Sequence, residues 1–146
     1  MRILNYLLSS LLLVSCVQTV DDTVTNFDVH GDSYDQATTI LNGQRIEGEL
    51  YSALDRDYFR LGYDNPIYVS YRLSAFEEPV AFDVWIQRED GVYDVVMTQV
   101  VNPGTYERVT LAGSSNYIST GLIARPTSVY DAWEYEIFVE QVVHAP

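Results

Sequence analysis

Three carboxylates, one thiol and a group of aromatic side chains are the residues of this 146-residue chain whose types and spacing could do chemistry. Asp55 and Asp57 lie two apart, so a regular strand puts them on one face. With Asp32 they supply three of the roughly 6–8 oxygen ligands that calcium takes, carbonyls and water supplying the rest. Asp32, Asp55 and Asp57 are therefore the candidate calcium ligands, and calcium is the one candidate cofactor. The competing expectation is that these aspartates hydrogen-bond loop backbone, as Asp does in turns. Cys16 is the only cysteine, which leaves no disulfide within one chain and no thiolate metal site. His30 and His144 are the only histidines, too few and too far apart for a zinc site or a Ser-His-Asp arrangement. No glycine-rich phosphate loop is present. Among 21 acidic residues no pair stands out for glycoside hydrolysis, so a carboxylate-dependent hydrolase stands only as the enzymatic alternative to a binding role.

Aromatic content is high, with 12 tyrosines and two tryptophans. Tyr68 and Trp85 project away from the apolar faces of their strands, and beside Arg72 they would form a flat platform with hydrogen-bonding edges. Sugars and peptides are bound by such platforms. Tyr68, Arg72 and Trp85 are the candidate ligand-contact set. A sandwich can equally bury Trp85 under a loop or at a sheet edge, and Tyr58, Phe59, Tyr135 and Phe138 are expected in the core.

The charge balance narrows the partners. Lysine is absent, and the formal net charge is −13 at pH 7. Such a surface repels nucleic acid and anionic lipid headgroups, so no nucleic-acid partner is expected.

The N-terminus carries Arg2, the apolar run Tyr6 to Val14 and then Ser15-Cys16. A positive start, a short hydrophobic segment and small residues before a cleavage point mark a secretory signal peptide. The run falls short of the ~20 apolar residues that span a bilayer. Leu13-Val14-Ser15-Cys16 resembles the lipobox of bacterial lipoproteins. The resemblance implies that residues 1–15 are removed and that Cys16 carries a diacylglyceryl group as the new N-terminus. Two acyl chains hold a protein on a bilayer where one is marginal. Val17, in place of the aspartate that retains enteric lipoproteins at the inner membrane, implies the outer membrane of the bacterial envelope. Residues 16–30, with Asp21, Asp22 and Asp28 and no strong period, read as an acidic tether of about 20 Å root-mean-square span.

The elements that position the candidates are strands. Pro66 to Leu73 alternates, with Ile67, Val69, Tyr71 and Leu73 against Tyr68, Ser70 and Arg72. Val80, Phe82, Val84 and Ile86 repeat the pattern against Asp83, Trp85 and Gln87. Trp133, Tyr135, Ile137 and Val139 alternate with Glu134, Glu136 and Glu140. Further strands are expected over 46–51, 58–62, 92–100, 106–111 and 117–124, with turns at Glu89-Asp90-Gly91, Asn102-Pro103-Gly104 and Gly113 to Asn116. Only 33–41 hints at a helical turn, with Asp32 or Ser33 as N-cap. About eight strands with one polar face each point to an antiparallel sandwich or barrel and exclude a doubly wound parallel sheet.

Asp32-Ser33-Tyr34-Asp35-Gln36-Ala37, then Gly43 to Leu50, then Asp55-Arg56-Asp57-Tyr58-Phe59-Arg60-Leu61, and finally Tyr135 to Val139 resemble the bacterial pre-peptidase C-terminal domain. The resemblance covers about 110 residues in short, degenerate pieces. It implies a jelly-roll-like β-sandwich over 31–146 with no catalytic residues of its own, and an accessory module that binds a protein or carbohydrate partner. Calcium-binding members carry Glu and Asn just before the Asp-Ser pair, where this chain has Val29-His30-Gly31.

Overall fold

The computed structural model describes residues 30–112, 117–129 and 133–144, so the expected signal peptide, Cys16 and the expected tether up to Val29 lie outside the described residues. Among the described residues a 3-10 turn, Tyr34–Gln36, precedes nine strands: β1 (Thr38–Ile40), β2 (Arg45–Leu50), β3 (Asp57–Leu61), β4 (Pro66–Ala75), β5 (Val80–Arg88), β6 (Tyr93–Val101), β7 (Tyr106–Ala112), β8 (Tyr117–Pro126) and β9 (Trp133–His144). They form two sheets, of order β1-β3-β8-β5-β6 and β2-β9-β4-β7. Every pairing is antiparallel except the short β1 against β3. Without β1, the facing orders 3-8-5-6 and 2-9-4-7 are those of two interlocked Greek keys, a jelly roll. The chain is an all-β sandwich.

Alternation along the strands puts one apolar set between the sheets. Phe59 and Leu61, Val80, Phe82 and Val84, and Leu122 and Ala124 face Val69, Tyr71 and Leu73, Trp133, Tyr135, Ile137 and Val139. The expected faces hold for all of β9 and most of β4. Ile67 departs from them and is exposed, because the ladder with β9 shifts register between Pro66 and Tyr68 and leaves Ile67 without a cross-strand partner. Ser33 precedes a 3-10 turn but makes no side-chain cap, and the expected helical segment becomes strand at Thr38. The Asp90-Gly91 turn is built as expected. Gly91 sits at φ +81°, which glycine adopts without the penalty of a Cβ, and the Asp90 carboxylate accepts the Val92 N–H at 3.1 Å.

The outer face of the first sheet has its own covering layer. Trp85 lies there, wholly buried at 0% exposure, under Tyr34 from the 3-10 turn and Tyr93 from β6. Tyr34 and Tyr93 stack at 4.2 Å and 9°, and Tyr58 meets Tyr34 edge-on at 5.1 Å. The indole N–H donates to the carbonyls of Phe59 (3.1 Å) and Leu122 (3.3 Å). Room for the ring comes from Gly121, its direct cross-strand neighbour: a Cβ there would lie 2.6 Å from the indole and 1.9 Å from the Phe59 carbonyl oxygen. The opening segment, expected to carry a ligand site, is thus the lid of a second hydrophobic layer.

Candidate functional site

The structure divides the candidate ligand-contact set between the two sheets. Tyr68 and Arg72 stand on the outer face of β4, in the second sheet. Trp85 belongs to the buried layer of the first sheet and presents no surface to a ligand. That burial follows from the 3-10 turn folding across β5.

Around Arg72 the second sheet supplies a row of side chains from all four of its strands. Arg45 on β2 lies opposite Phe138 on β9, Phe138 opposite Arg72 on β4, and Arg72 opposite Arg108 on β7. With strands ~4.8 Å apart the row crosses about 14 Å of surface. The Arg72 guanidinium sits 5.1 Å from the Phe138 ring centroid and 5.9 Å from that of Tyr106, and the Arg45 guanidinium is 5.5 Å from Phe138 on its other side. Arginine over an aromatic face is attracted by the ring quadrupole, most strongly within about 6 Å. Tyr106 is 63% exposed.

The three arginines of this row are not equivalent. Arg45 pairs with Glu136 at 2.7 Å. Arg108 reaches Glu140 through Nε at 2.6 Å and through a second guanidinium nitrogen at 3.1 Å, and Ser70 donates to the same carboxylate at 3.2 Å. These hydrogen bonds, that from Arg108 foremost, hold the Glu140 carboxyl below its ordinary range and raise Arg108. Arg72 makes no side-chain hydrogen bond and no ion pair among the described residues. It is flanked by two aromatic rings, and its N–H donors are unspent among the described residues. Arginine carries five such donors in a planar fork that matches paired oxygen acceptors.

Phe138 was expected in the core, and the structure corrects this. The alternation of Trp133 to Val139 already assigns Phe138 to the face of Glu134 and Glu136, which is the outer one. Tyr58 is likewise an outer-face residue, whereas Phe59 and Tyr135 are core. Tyr106 and Arg45 went unrecognised as members of the site. The signal for Arg45 was its cross-strand register with Phe138, which no single strand shows.

The candidate calcium ligands are also divided. Asp32 and Asp55 line one cleft of about 420 Å³, with Tyr51, Ser52, Leu54 and Arg56. Asp55 accepts the Tyr51 backbone N–H at 2.7 Å, the loop-bonding role weighed against metal binding. Asp57 turns inward, 1% exposed, and accepts a hydrogen bond from the Tyr135 hydroxyl. Among the described residues no three His, Cys, Asp or Glu side chains converge as a metal site would require. His30 packs against Phe59, ring centroids 4.8 Å apart.

The fold and this face define a jelly-roll sandwich with an arginine-aromatic row on one sheet. Comparison with protein families finds no match, and comparison with curated proteins finds none either. Among solved structures the chain is similar to that reported as "Crystal structure of PirA", with a TM-score of 0.51 and 8% identity over 66% of this chain and 93% of that one. A second similar structure bears the description "Bacillus endospore appendages form a novel family of disulfide-linked pili". Its TM-score is 0.39, at 17% identity over 67% of this chain and 87% of that one. At 8% identity the likeness to the first is one of fold.

Proposed function

We propose that this protein is a non-enzymatic binding or accessory module of the bacterial envelope, held on a membrane by lipid on Cys16. The outer face of the second sheet around Tyr68, Arg72 and Tyr106 is its contact surface. One observation carries the binding reading: Arg72 is fixed between Phe138 and Tyr106 with its donors unspent, so a partner finds a pre-ordered fork and loses little entropy in using it. A protein or carbohydrate presenting paired acceptor oxygens beside an apolar face fits that geometry. Polyanions fit it poorly, since Glu47 and Glu136, and Glu49 and Glu134, stand opposite one another on the neighbouring strands. The sequence resemblance to pre-peptidase C-terminal domains supports an accessory role without chemistry of its own.

The anchor is tested by fractionation. Cys16→Ser is expected to move the protein from the membrane to the soluble fraction, and its retention on membranes would remove the lipid assignment. Val17 supports an outer-membrane destination, which separation of the two membranes checks. Binding is tested by using the intact protein as bait on envelope extracts with and without chelator.

A second reading, a calcium-stabilised module, is favoured by the meeting of Asp32 and Asp55 in one cleft. Its test is a melting shift on adding millimolar calcium, abolished by Asp32→Asn. No shift would set it aside.

A further inference from the structure

The four sheet edges of the sandwich are not protected alike. Edge strands display unpaired backbone N–H and C=O groups, and proteins blunt them with short length or charge. β1 is three residues long. β2 carries Arg45, Glu47 and Glu49, and β7 carries Glu107 and Arg108. β6 is nine residues long and carries no charge from Val95 to Val101. Its apolar side chains are largely uncovered: Val95 is 49% exposed, Val96 46%, Met97 39% and Val100 46%. The segment Val95-Val96-Met97-Thr98-Gln99-Val100-Val101 combines high β propensity with zero charge, the composition that pairs with another strand.

We propose that β6 is a homotypic docking edge, joining a second copy of this chain through antiparallel β6–β6 pairing into one continuous sheet. Charge selects the occupant. Two chains of formal charge −13 repel over most of their surfaces, and this neutral strand is where they can meet without opposed carboxylates. With the two-fold axis at Thr98, Met97 lies opposite Gln99 and Val96 opposite Val100. The nearest charged residue, Asp94, then lies opposite Asn102 rather than another acid, and Pro103, which has no N–H to donate, ends the ladder. A basic partner strand would find no complementary charge here. The register shift of β6 against β5 between Val84 and Trp85 places a bulge at Val96, so regular pairing is strongest on the Met97 side. This edge belongs to the opposite sheet from the Arg72 face, so pairing leaves that face open.

Sedimentation of the full chain across a concentration series is the test. The expected result is a reversible monomer–dimer equilibrium with a Kd on the order of 10 µM. The double substitution Val96→Lys and Val100→Lys, both at exposed sites and directly opposite one another in this register, is expected to weaken it at least ~10-fold by setting like charges against each other across the pair, with an unchanged circular dichroism spectrum and melting curve. Amide exchange of Met97 to Val100 should slow as concentration rises in the parent chain and not in the variant. A chain that stays monomeric at ~500 µM, or a dimer indifferent to both lysines, would overturn the proposal. Retained dimerisation with protection at β2 or β7 would overturn it equally, by placing the contact elsewhere.

Discussion

Tyr135 on β9 donates its hydroxyl hydrogen bond to the carboxylate of Asp57 on β3, so a buried polar contact joins the two sheets. Gly48, directly opposite Tyr135 on β2, leaves space for the phenol: a Cβ there would lie 2.2 Å from its oxygen. Removing the donor from a buried carboxylate costs about 1–3 kcal/mol or more. Tyr135→Phe is therefore expected to lower unfolding stability by that amount with the fold retained. Gly48→Ala, which pushes the ring off its rotamer, is expected to cost a similar ~1–3 kcal/mol. Denaturant titration of both variants measures this. If Tyr135→Phe is as stable as the parent, the contact has no structural weight.

Tyr71 presents the opposite case. Its hydroxyl is fully buried between the sheets and finds no partner among the described residues, and burial pushes its pKa far above the ordinary value of 10. Deleting an unsatisfied buried hydroxyl while keeping the ring removes a desolvation penalty of about 1–3 kcal/mol, so Tyr71→Phe is expected to stabilise the fold. A folded pKa raised above the unfolded one contributes stability that is complete below pH 10 and lost as pH rises past it. The parent should therefore weaken more steeply than Tyr71→Phe in alkaline solution. Chemical melts at pH 8 and pH 11 compare the two slopes.

Much of the sandwich was legible because burial on one face forces a period of two. Trp133, Tyr135, Ile137 and Val139 announce the core side of β9 with no information from other strands, and Gly91 announces its turn. What stayed hidden depends on elements meeting across sequence. Nothing near Trp85 says that Tyr34, some fifty residues earlier, folds over it. Nothing near Asp57 says that the strand turns it toward Tyr135 rather than toward Asp55. Three aspartates with plausible spacing looked like one site because spacing reports a strand's own geometry and not which side of the sheet its neighbours occupy. The row of Arg45, Phe138 and Arg72 was hidden for the same reason, since register between strands is set by the whole sheet.

Acid should weaken the outer face of the second sheet. Glu140 titrates below its ordinary value of 4.5 because Arg108 and Ser70 hydrogen-bond its charged form. A carboxylate with a depressed folded pKa contributes stability that is present above the unfolded value and lost as pH falls through the folded one. Below about pH 4.5 the parent is expected to lose stability faster than Glu140→Gln, the two curves running parallel again once the carboxylate is fully protonated. At pH 7 the variant is expected to be less stable by under ~1 kcal/mol, since Arg108 is well exposed and its contact is screened. Thermal melts from pH 3 to pH 7 check both statements.

Trp85 and Arg72 should part company on substitution. Trp85→Ala empties a buried site and forfeits the indole hydrogen bonds, at an expected cost of about 3–5 kcal/mol. Arg72→Ala removes an outer-face side chain with no ion pair to break, and its effect on melting is expected to stay within a few degrees. Differential scanning calorimetry of the two variants gives the comparison.

The role of the Arg72 face is tested most directly by titrating a captured envelope partner against the parent, Arg72→Ala and Arg72→Lys in matched buffers. Loss of a charge-assisted contact of about 1.5–3 kcal/mol predicts a Kd weakened roughly 10- to 100-fold in Arg72→Ala, with Arg72→Lys recovering only part of it because a point charge lacks the planar fork. Equal affinity for all three, in proteins with equal melting curves, would contradict the account and move the contact surface off this sheet.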